Sequence, residues 1–314
     1  MQWYPQNMLK ILRKLFTTNN KVYVPLRCRM ANQMFEYAMA RSVALETGGT
    51  PVLYKYDEND LLLDCFELCP EFEYAPDSYH SALNVIGKKL QAASVKANET
   101  NAQRYAREKR DKYWLALFGI FHCEVGYTKV PTWLMKHRNV HCFGWFQAED
   151  YFKAHETIIR KELTFKREIR EKCEPLAEEI EKCESVCLHI RLGDYLDPKY
   201  AVFKVCDKTY YGNAVAYIRE RKPDAKFYVF TDSPDVFMKE YNIPNTTLIP
   251  ESYSGQESMY LGTRCKNHIM SNSSYSWWMQ YLGKNDGQIV IAPKRWFNRE
   301  QTVDGLYMKH WVTL

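Results

Sequence analysis

The chain has 314 residues, enough for two domains with separate cores, and 46% of it is apolar. Its 43 basic and 38 acidic side chains leave a net charge of +5, which fits a positive cleft or face and speaks against a surface that coats nucleic acid. The longest apolar run, over 113–121, has about half the roughly 20 residues a membrane-spanning helix needs, so a transmembrane class is excluded.

In chain order, the stretch MLKILRKLF at 8–16 puts Met8, Ile11, Leu12, Leu15 and Phe16 on one helical stripe, with Lys10, Arg13 and Lys14 elsewhere. That pattern suits a helix lying on an anionic membrane surface or one packing on its own domain. KVYVPLR at 21–27 reads as a strand, CRMA as a short loop, and 32–46 as a helix closed by Gly48 and Gly49. PVLYKY then returns as a second strand, which makes a Rossmann-like βαβ opening. From 57 to 135 the pattern is irregular and predicts a helical insertion around KANETNAQRYAREKRDKYW. The charged helical stretch HETIIRKELTFKREIREK marks a domain boundary near 155–170, giving an N-terminal unit 1–160 and a C-terminal unit 161–314. In that second unit strands at 185–191, 226–231, 246–249, 267–271 and 287–291 alternate with helices at 209–221, 234–241, 256–264 and 275–283. The alternation predicts a parallel, doubly wound sheet, and Ser233 before Pro234 predicts a capped helix start.

Ten cysteines occur without regular spacing. The C-x3-C pairs Cys65/Cys69 and Cys183/Cys187 lack a histidine at ligand spacing, so no metal site is expected. With no signal peptide ahead of them, reduced structural thiols in the cytoplasm are the expectation, and the sequons at Asn98, Asn245 and Asn272 are read as chance.

Ligands of such sheets sit beyond the carboxyl ends of the strands. Three unusual stretches fall there: CRMANQMFEYA (28–38), HIRLGDYL (189–196) and SNSSYSWW (271–278). Arg191 is the strongest single candidate, because a guanidinium at a strand end can hold a phosphate through two parallel hydrogen bonds. Its other reading is an ion pair with Asp194. His189, two residues earlier on the same face, is either a ligand contact or a satisfied core histidine, and Asp194 either orients Arg191 or acts in catalysis.

Together HIRLGDY, NQMFEYA, FGWFQAEDYF (143–152), SNSSYSWW and IAPKRWFN (291–298) resemble the motifs of the bacterial α-1,2-fucosyltransferases of glycosyltransferase family 11, over roughly 21–298. The chain departs from that family at Cys28 and Ala31, which stand where its glycines stand before Asn32 and Gln33. A side chain at either position is expected to change the loop's geometry or its distance from the donor. The resemblance implies an α/β GT-B fold of two Rossmann-like domains facing across a cleft, GDP-β-L-fucose as donor, no further cofactor and no metal. It implies inverting transfer to the 2-hydroxyl of a galactose-terminated glycan such as O-antigen or capsule; the thiols and the stripe at 8–16 add the expectation of a cytoplasmic protein able to contact the inner membrane face. Arg191 would stabilise the departing diphosphate in place of a metal ion, helped by amides of Ser273, Ser274 and Tyr275. His189 would contact guanine or ribose, Asn32 the fucose or phosphate, and Asp194, with Asp197 second, would take the acceptor proton. The alternatives are another GDP-sugar transferase of related fold, a catalytically inactive sugar-nucleotide or glycan-binding protein, and an RNA-binding protein.

Overall fold

The computed structural model describes residues 19–56, 60–75, 89, 99–241, 243–283, 285–301 and 303–314. The stripe at 8–16 and the sequon at Asn98 lie outside the described residues. The chain divides into two compact units, one of residues 1–162 and 301–307, the other of 163–300 and 308–314. The segment 301–307, expected in the second unit, thus belongs to the first. Both units are α/β with parallel sheets.

The first unit opens with strand β1 (Lys21–Leu26), helix α1 (Met30–Thr47) and strand β2 (Thr50–Lys55). Helix α1 starts two residues before the sequence predicts because its N-cap is Arg29, which makes no side-chain cap bond and so leaves no capping signal to read. It ends where predicted, with Gly48 in the left-handed conformation at φ 70°. The predicted helical insertion over 57–135 is only partly helical. It holds the short strand β3 (Glu73–Tyr74), helix α2 (Asn101–Ala116) with a Thr100/Gln103 capping box, and strand β4 (Ile120–Cys123). Strand β5 (Val140–Gly144) and helix α3 (Glu156–Glu162) complete the unit. The apolar run at 113–121 is therefore the end of α2 joined to the start of β4. Both β4 and β5 are buried along their whole length, which removes the in-out alternation that would have announced them.

The second unit begins with helix α4 (Arg167–Lys182) and strand β6 (Ser185–Ile190). There follow α5 (Lys208–Arg221), β7 (Lys226–Thr231), α6 (Pro234–Glu240), β8 (Thr246–Leu248), α7 (Gly255–Thr263), β9 (Asn267–Ile269), α8 (Ser274–Leu282), β10 (Val290–Ala292) and β11 (Val312–Thr313). Ser233 holds the N-cap position of α6, but its side chain makes no cap bond. Burial drives the assembly: Val186, Leu188 and Ile190 of β6 pack with Ile218 of α5, Val229 of β7 and Ile269 of β9 in one cluster. Each such side chain contributes about 1.5–3 kcal/mol on leaving water.

Strand order fixes where a ligand can enter. The first sheet runs β3-β2-β1-β5-β4 and the second β11-β10-β9-β6-β7-β8. In the first, chain direction across the sheet reverses between β1 and β5, and in the second between β6 and β9. Loops leaving two such strands diverge to opposite faces and open a crevice at the carboxyl edge.

Candidate active site

The switch point of the second unit brings together the loops after β6 and β9, which carry HIRLGD and SNSSYS. Arg191 follows the last residue of β6. The register pairs Ile190 with Thr231 of β7, so the next residue of that strand end, Asp232, faces Arg191. Arg191 Nη1 lies 2.6 Å from Asp232 Oδ2, and its Nη2 donates to Asp194 Oδ1 at 2.7 Å. Asp232 is in turn fixed, because its Oδ1 accepts from the amides of Leu192 at 2.9 Å and Gly193 at 3.0 Å. This close approach explains the glycine of HIRLGD: a Cβ on Gly193 would collide with Asp232 Oδ2. The guanidinium also stands over the ring of Tyr195, 5.6 Å from its centroid. Ion pair and strand-end cation are thus both present. Arg191 is a fork held between a fixed carboxylate and one on a short helical turn at 193–196.

His189 is buried, and its Nδ1 faces two hydroxyls, Ser276 Oγ and, at 2.9 Å, Ser271 Oγ. Ser276 Oγ also accepts from the Ser271 amide at 3.2 Å and lies 3.2 Å from the Ser271 hydroxyl, so the serine pair holds the Nδ1 edge of the ring and leaves Nε2 as its outer edge. Burial, aided by the charge of Arg191, lowers the His189 pKa to about 3, so the imidazole is neutral. Its ring lies against Tyr275, with centroids 5.3 Å apart.

Of the three amides expected to face a phosphate, two have internal acceptors. Ser273 N–H donates to Ser271 O at 2.8 Å, and Tyr275 N–H to the Ser273 hydroxyl at 3.3 Å. Ser274, the first residue of α8, keeps the position at which a helix offers an amide outward. Asp197 caps the turn that follows it, accepting from Lys199 N–H at 3.0 Å, and the bond to the Lys199 ammonium holds its pKa below the ordinary carboxylate value.

Asn272 is structural. Its Nδ2 donates to the carbonyls of Phe203 and Trp296, both at 2.9 Å, so it fastens the PKRWFN stretch and the loop after β6 to the β9 loop. A buried amide so engaged is closed to glycosylation.

The switch point of the first unit repeats the arrangement. Asn32, in the first turn of α1, accepts from Gln147 of the FGWFQ stretch at 2.8 Å. Gln33 is fully engaged, donating to Cys28 O and Asp60 O and accepting from Leu62 N–H. Beside them lies a buried group that sequence reasoning missed: Arg27 bonds Glu36 through its amide and Nε, reaches Glu124 at 3.3 Å, and stacks 4.4 Å over the ring of Trp145. Among the described residues its Nη2 has no hydrogen-bond partner. Burial raises the Glu36 pKa to about 8 against the opposing pull of Arg27. Two non-glycine residues of these loops take left-handed backbone, Cys28 at φ 57° and Phe146 at φ 52°. Cys28 therefore keeps the conformation that a glycine would hold. Ala31 lies inside α1 and needs no such freedom, which corrects the expectation that both positions perturb the loop.

Among the described residues no three His, Cys, Asp or Glu side chains converge to hold a metal ion, and none of the ten cysteines forms a disulfide. Residues 71–314 match the model of glycosyl transferase family 11. The chain belongs to that family. An alpha-1,2-colitosyltransferase of Escherichia coli is 32% identical over 169 residues, covering 52% of this chain and 58% of that protein. The O-antigen biosynthesis glycosyltransferase WbnK of Escherichia coli is 31% identical over 190 residues, covering 56% and 62%. The family 11 chain thus spans about three fifths of each of these relatives. A crystal structure of POFUT1 with GDP-fucose superimposes with a TM-score of 0.50 at 10% identity, over 88% of this chain and 99% of that one, and places the fold among GT-B-like proteins. NodZ alpha-1,6-fucosyltransferase soaked with GDP-fucose gives a TM-score of 0.49 at 17% identity over 84% and 92%.

Proposed function

We propose that this family 11 chain is an inverting galactoside α-1,2-fucosyltransferase that moves L-fucose from GDP-β-L-fucose to the 2-hydroxyl of a galactose unit in a cell-surface glycan. Family membership and the five motifs support the reaction class. The observation that carries the mechanism is the Arg191 fork at the switch point, held by Asp232 and Asp194.

As the bond from fucose C1 to the β-phosphate oxygen breaks, its electron pair goes to GDP and positive charge grows on the sugar ring. A preorganised guanidinium beside that oxygen stabilises the transition state more than the ground state. Asp232 and Asp194 each take one N–H of the Arg191 fork, and a carboxylate that gives way would let the diphosphate meet the guanidinium through two parallel bonds. Asp232 is tied by two backbone amides, whereas Asp194 is the more exposed and sits on a short turn. We assign the displacement to Asp194: binding of the donor to Nη2 releases this carboxylate, which then takes the proton of the acceptor hydroxyl as that oxygen attacks C1 from the opposite face. Neutral His189 would present its Nε2 edge to guanine or ribose. The Ser274 amide would add to the field on the phosphates, and Asn32, with its Oδ1 engaged by Gln147, would offer Nδ2 to the fucose or phosphate.

A second reading, favoured by the colitosyltransferase relative, keeps the mechanism and changes the donor to GDP-colitose, whose sugar is L-fucose without its 3-hydroxyl. Release of GDP from GDP-fucose, GDP-colitose and GDP-mannose over a panel of β-galactosides, with the product linkage read by NMR, separates the two. Fucose-dependent release giving an α-1,2 linkage is the expected result. Release from GDP-colitose alone would shift the donor, and release from GDP-mannose alone would remove the proposal.

A further inference from the structure

The first unit carries a cavity of about 440 Å³, none of whose lining residues belongs to the two switch-point loops; Tyr105, Lys109, Lys112, Tyr113, Lys129 and Asp304 form much of its wall. Lys112 is buried, and its ammonium donates to Thr128 Oγ1 at 2.7 Å and to the Lys129 carbonyl at 3.0 Å. Both acceptors are neutral, and among the described residues no carboxylate pairs with it. Lys109 Nζ lies 3.9 Å from the centroid of the Tyr105 ring and 3.9 Å from Asp304, the single acid of the lining. Three ammonium groups against one carboxylate leave the cavity positive, and hydroxyl-bearing tyrosine walls suit an anion with polar substituents.

The same helix then turns aromatic toward water. Trp114 is 66% exposed and Tyr113, Leu117 and Phe118 are exposed beside it, with Trp114 and Phe118 packed edge to face at 5.5 Å. Arg110, one turn before Trp114, is exposed on this side, and Arg138 donates to the Leu117 carbonyl at 2.6 Å. A contiguous apolar end on a surface helix costs free energy in water, and tryptophan and tyrosine flanked by basic side chains settle at the boundary between headgroups and acyl chains.

We propose that this face of the first unit docks on an anionic phospholipid membrane, with a lipid phosphate in the lysine cavity and Trp114, Leu117 and Phe118 in the interfacial zone. Charge complementarity selects this occupant over an apolar protein segment, which would leave Lys112 and Lys129 facing no anion and Lys109 only Asp304. The proposal is independent of the donor and acceptor assignments.

The test is sedimentation of the full-length protein with vesicles of phosphatidylcholine alone or of equimolar phosphatidylcholine and phosphatidylglycerol. Thermal unfolding confirms that each variant is folded. The wild type binds the anionic vesicles at low salt and is released as salt screens the attraction. Changing Lys109→Gln with Lys129→Gln lowers the partition coefficient about twenty-five-fold, since each basic residue near such a surface is worth about a factor of five. Trp114→Ala with Phe118→Ala weakens binding as well, and both effects persist after removal of residues 1–18. Vesicle binding unchanged in both variants would overturn the proposal, as would binding that vanishes with residues 1–18 alone. Calorimetry with inorganic phosphate supplies the other arm: lysine-dependent phosphate binding in a protein that ignores anionic vesicles would make this a soluble-phosphate site and refute the membrane assignment.

Discussion

Cys28 offers a direct test of how the loop between β1 and α1 is held. Its backbone sits at φ 57°, where an L-residue costs about 1–2 kcal/mol and glycine nothing. Cys28→Gly removes that strain but adds about 0.4–1 kcal/mol of unfolded-chain entropy, so the net gain is about 0.5–1 kcal/mol. For a unit of this size that is a rise in melting temperature of about 1–4 °C. Cys28→Ala keeps the strain and removes the thiol, so the glycine variant should exceed the alanine variant by about 1 kcal/mol. The backbone carbonyl of residue 28, which accepts from Gln33 Nε2, is present in both, so the comparison isolates φ. Ala31→Gly acts oppositely: inside α1 and buried, it costs about 0.5–1 kcal/mol, leaving the double glycine variant near wild type. Urea unfolding of the four variants beside wild type reads these differences. Because the loop already holds the glycine geometry, transfer efficiency should stay within about twofold. An alanine variant as stable as the glycine variant would refute the argument that residue 28 is strained.

Gly193→Ala should lower transfer by about 5- to 150-fold and melting by a few degrees, because its Cβ would push Asp232 from the two amides that fix it and loosen Arg191, a loss of about 1–3 kcal/mol; wild-type kinetics would show that the fixed carboxylate is dispensable. Stability should fall steeply as pH drops from about 6.5 to 5. Burial holds His122 at about 4 and His141, His189 and His268 at about 3. Each is therefore neutral when folded yet protonates when unfolded, removing up to about 1.4 kcal/mol per histidine per pH unit below about 6.5. Glu36, raised to about 8, offsets about one of the four histidines, since its contribution is present in full below its ordinary carboxyl range and is lost as pH rises through 8. A urea midpoint that does not move between pH 6.5 and 5 would contradict the set. Transfer should survive excess EDTA, with Arg191 and the α8 terminus supplying the positive field, and loss restored by magnesium or manganese would show that the phosphates are held otherwise.

Where each element could be read depended on how it is buried and paired. In the second unit, short strands alternate with helices and β7 has the bounds its sequence predicts, whereas β9 stops at Ile269 and β10 starts at Val290 because the register with neighbours, not the apolar run, sets their ends. In the first unit, β4 and β5 carry no alternation because both of their faces are covered. His189, Arg191 and Asp194 were legible because polar groups interrupt or follow an apolar strand. Asp232 was not, because it joins them only through the pairing of β6 with β7, although its place at a strand end in TDSP was a usable signal. Arg27 and Glu36 were hidden for the same reason: nine residues apart in sequence, they meet only once β1 and α1 pack together.

The most direct test of the central claim is turnover of GDP-fucose at saturating donor and galactoside by wild type, Arg191→Ala and Arg191→Lys. If the guanidinium fork stabilises the departing diphosphate, kcat falls by about a hundredfold to a thousandfold in the alanine variant, and lysine recovers little of it because a point charge cannot bridge Asp232 and the phosphate. Wild-type kcat in either folded variant would contradict the account.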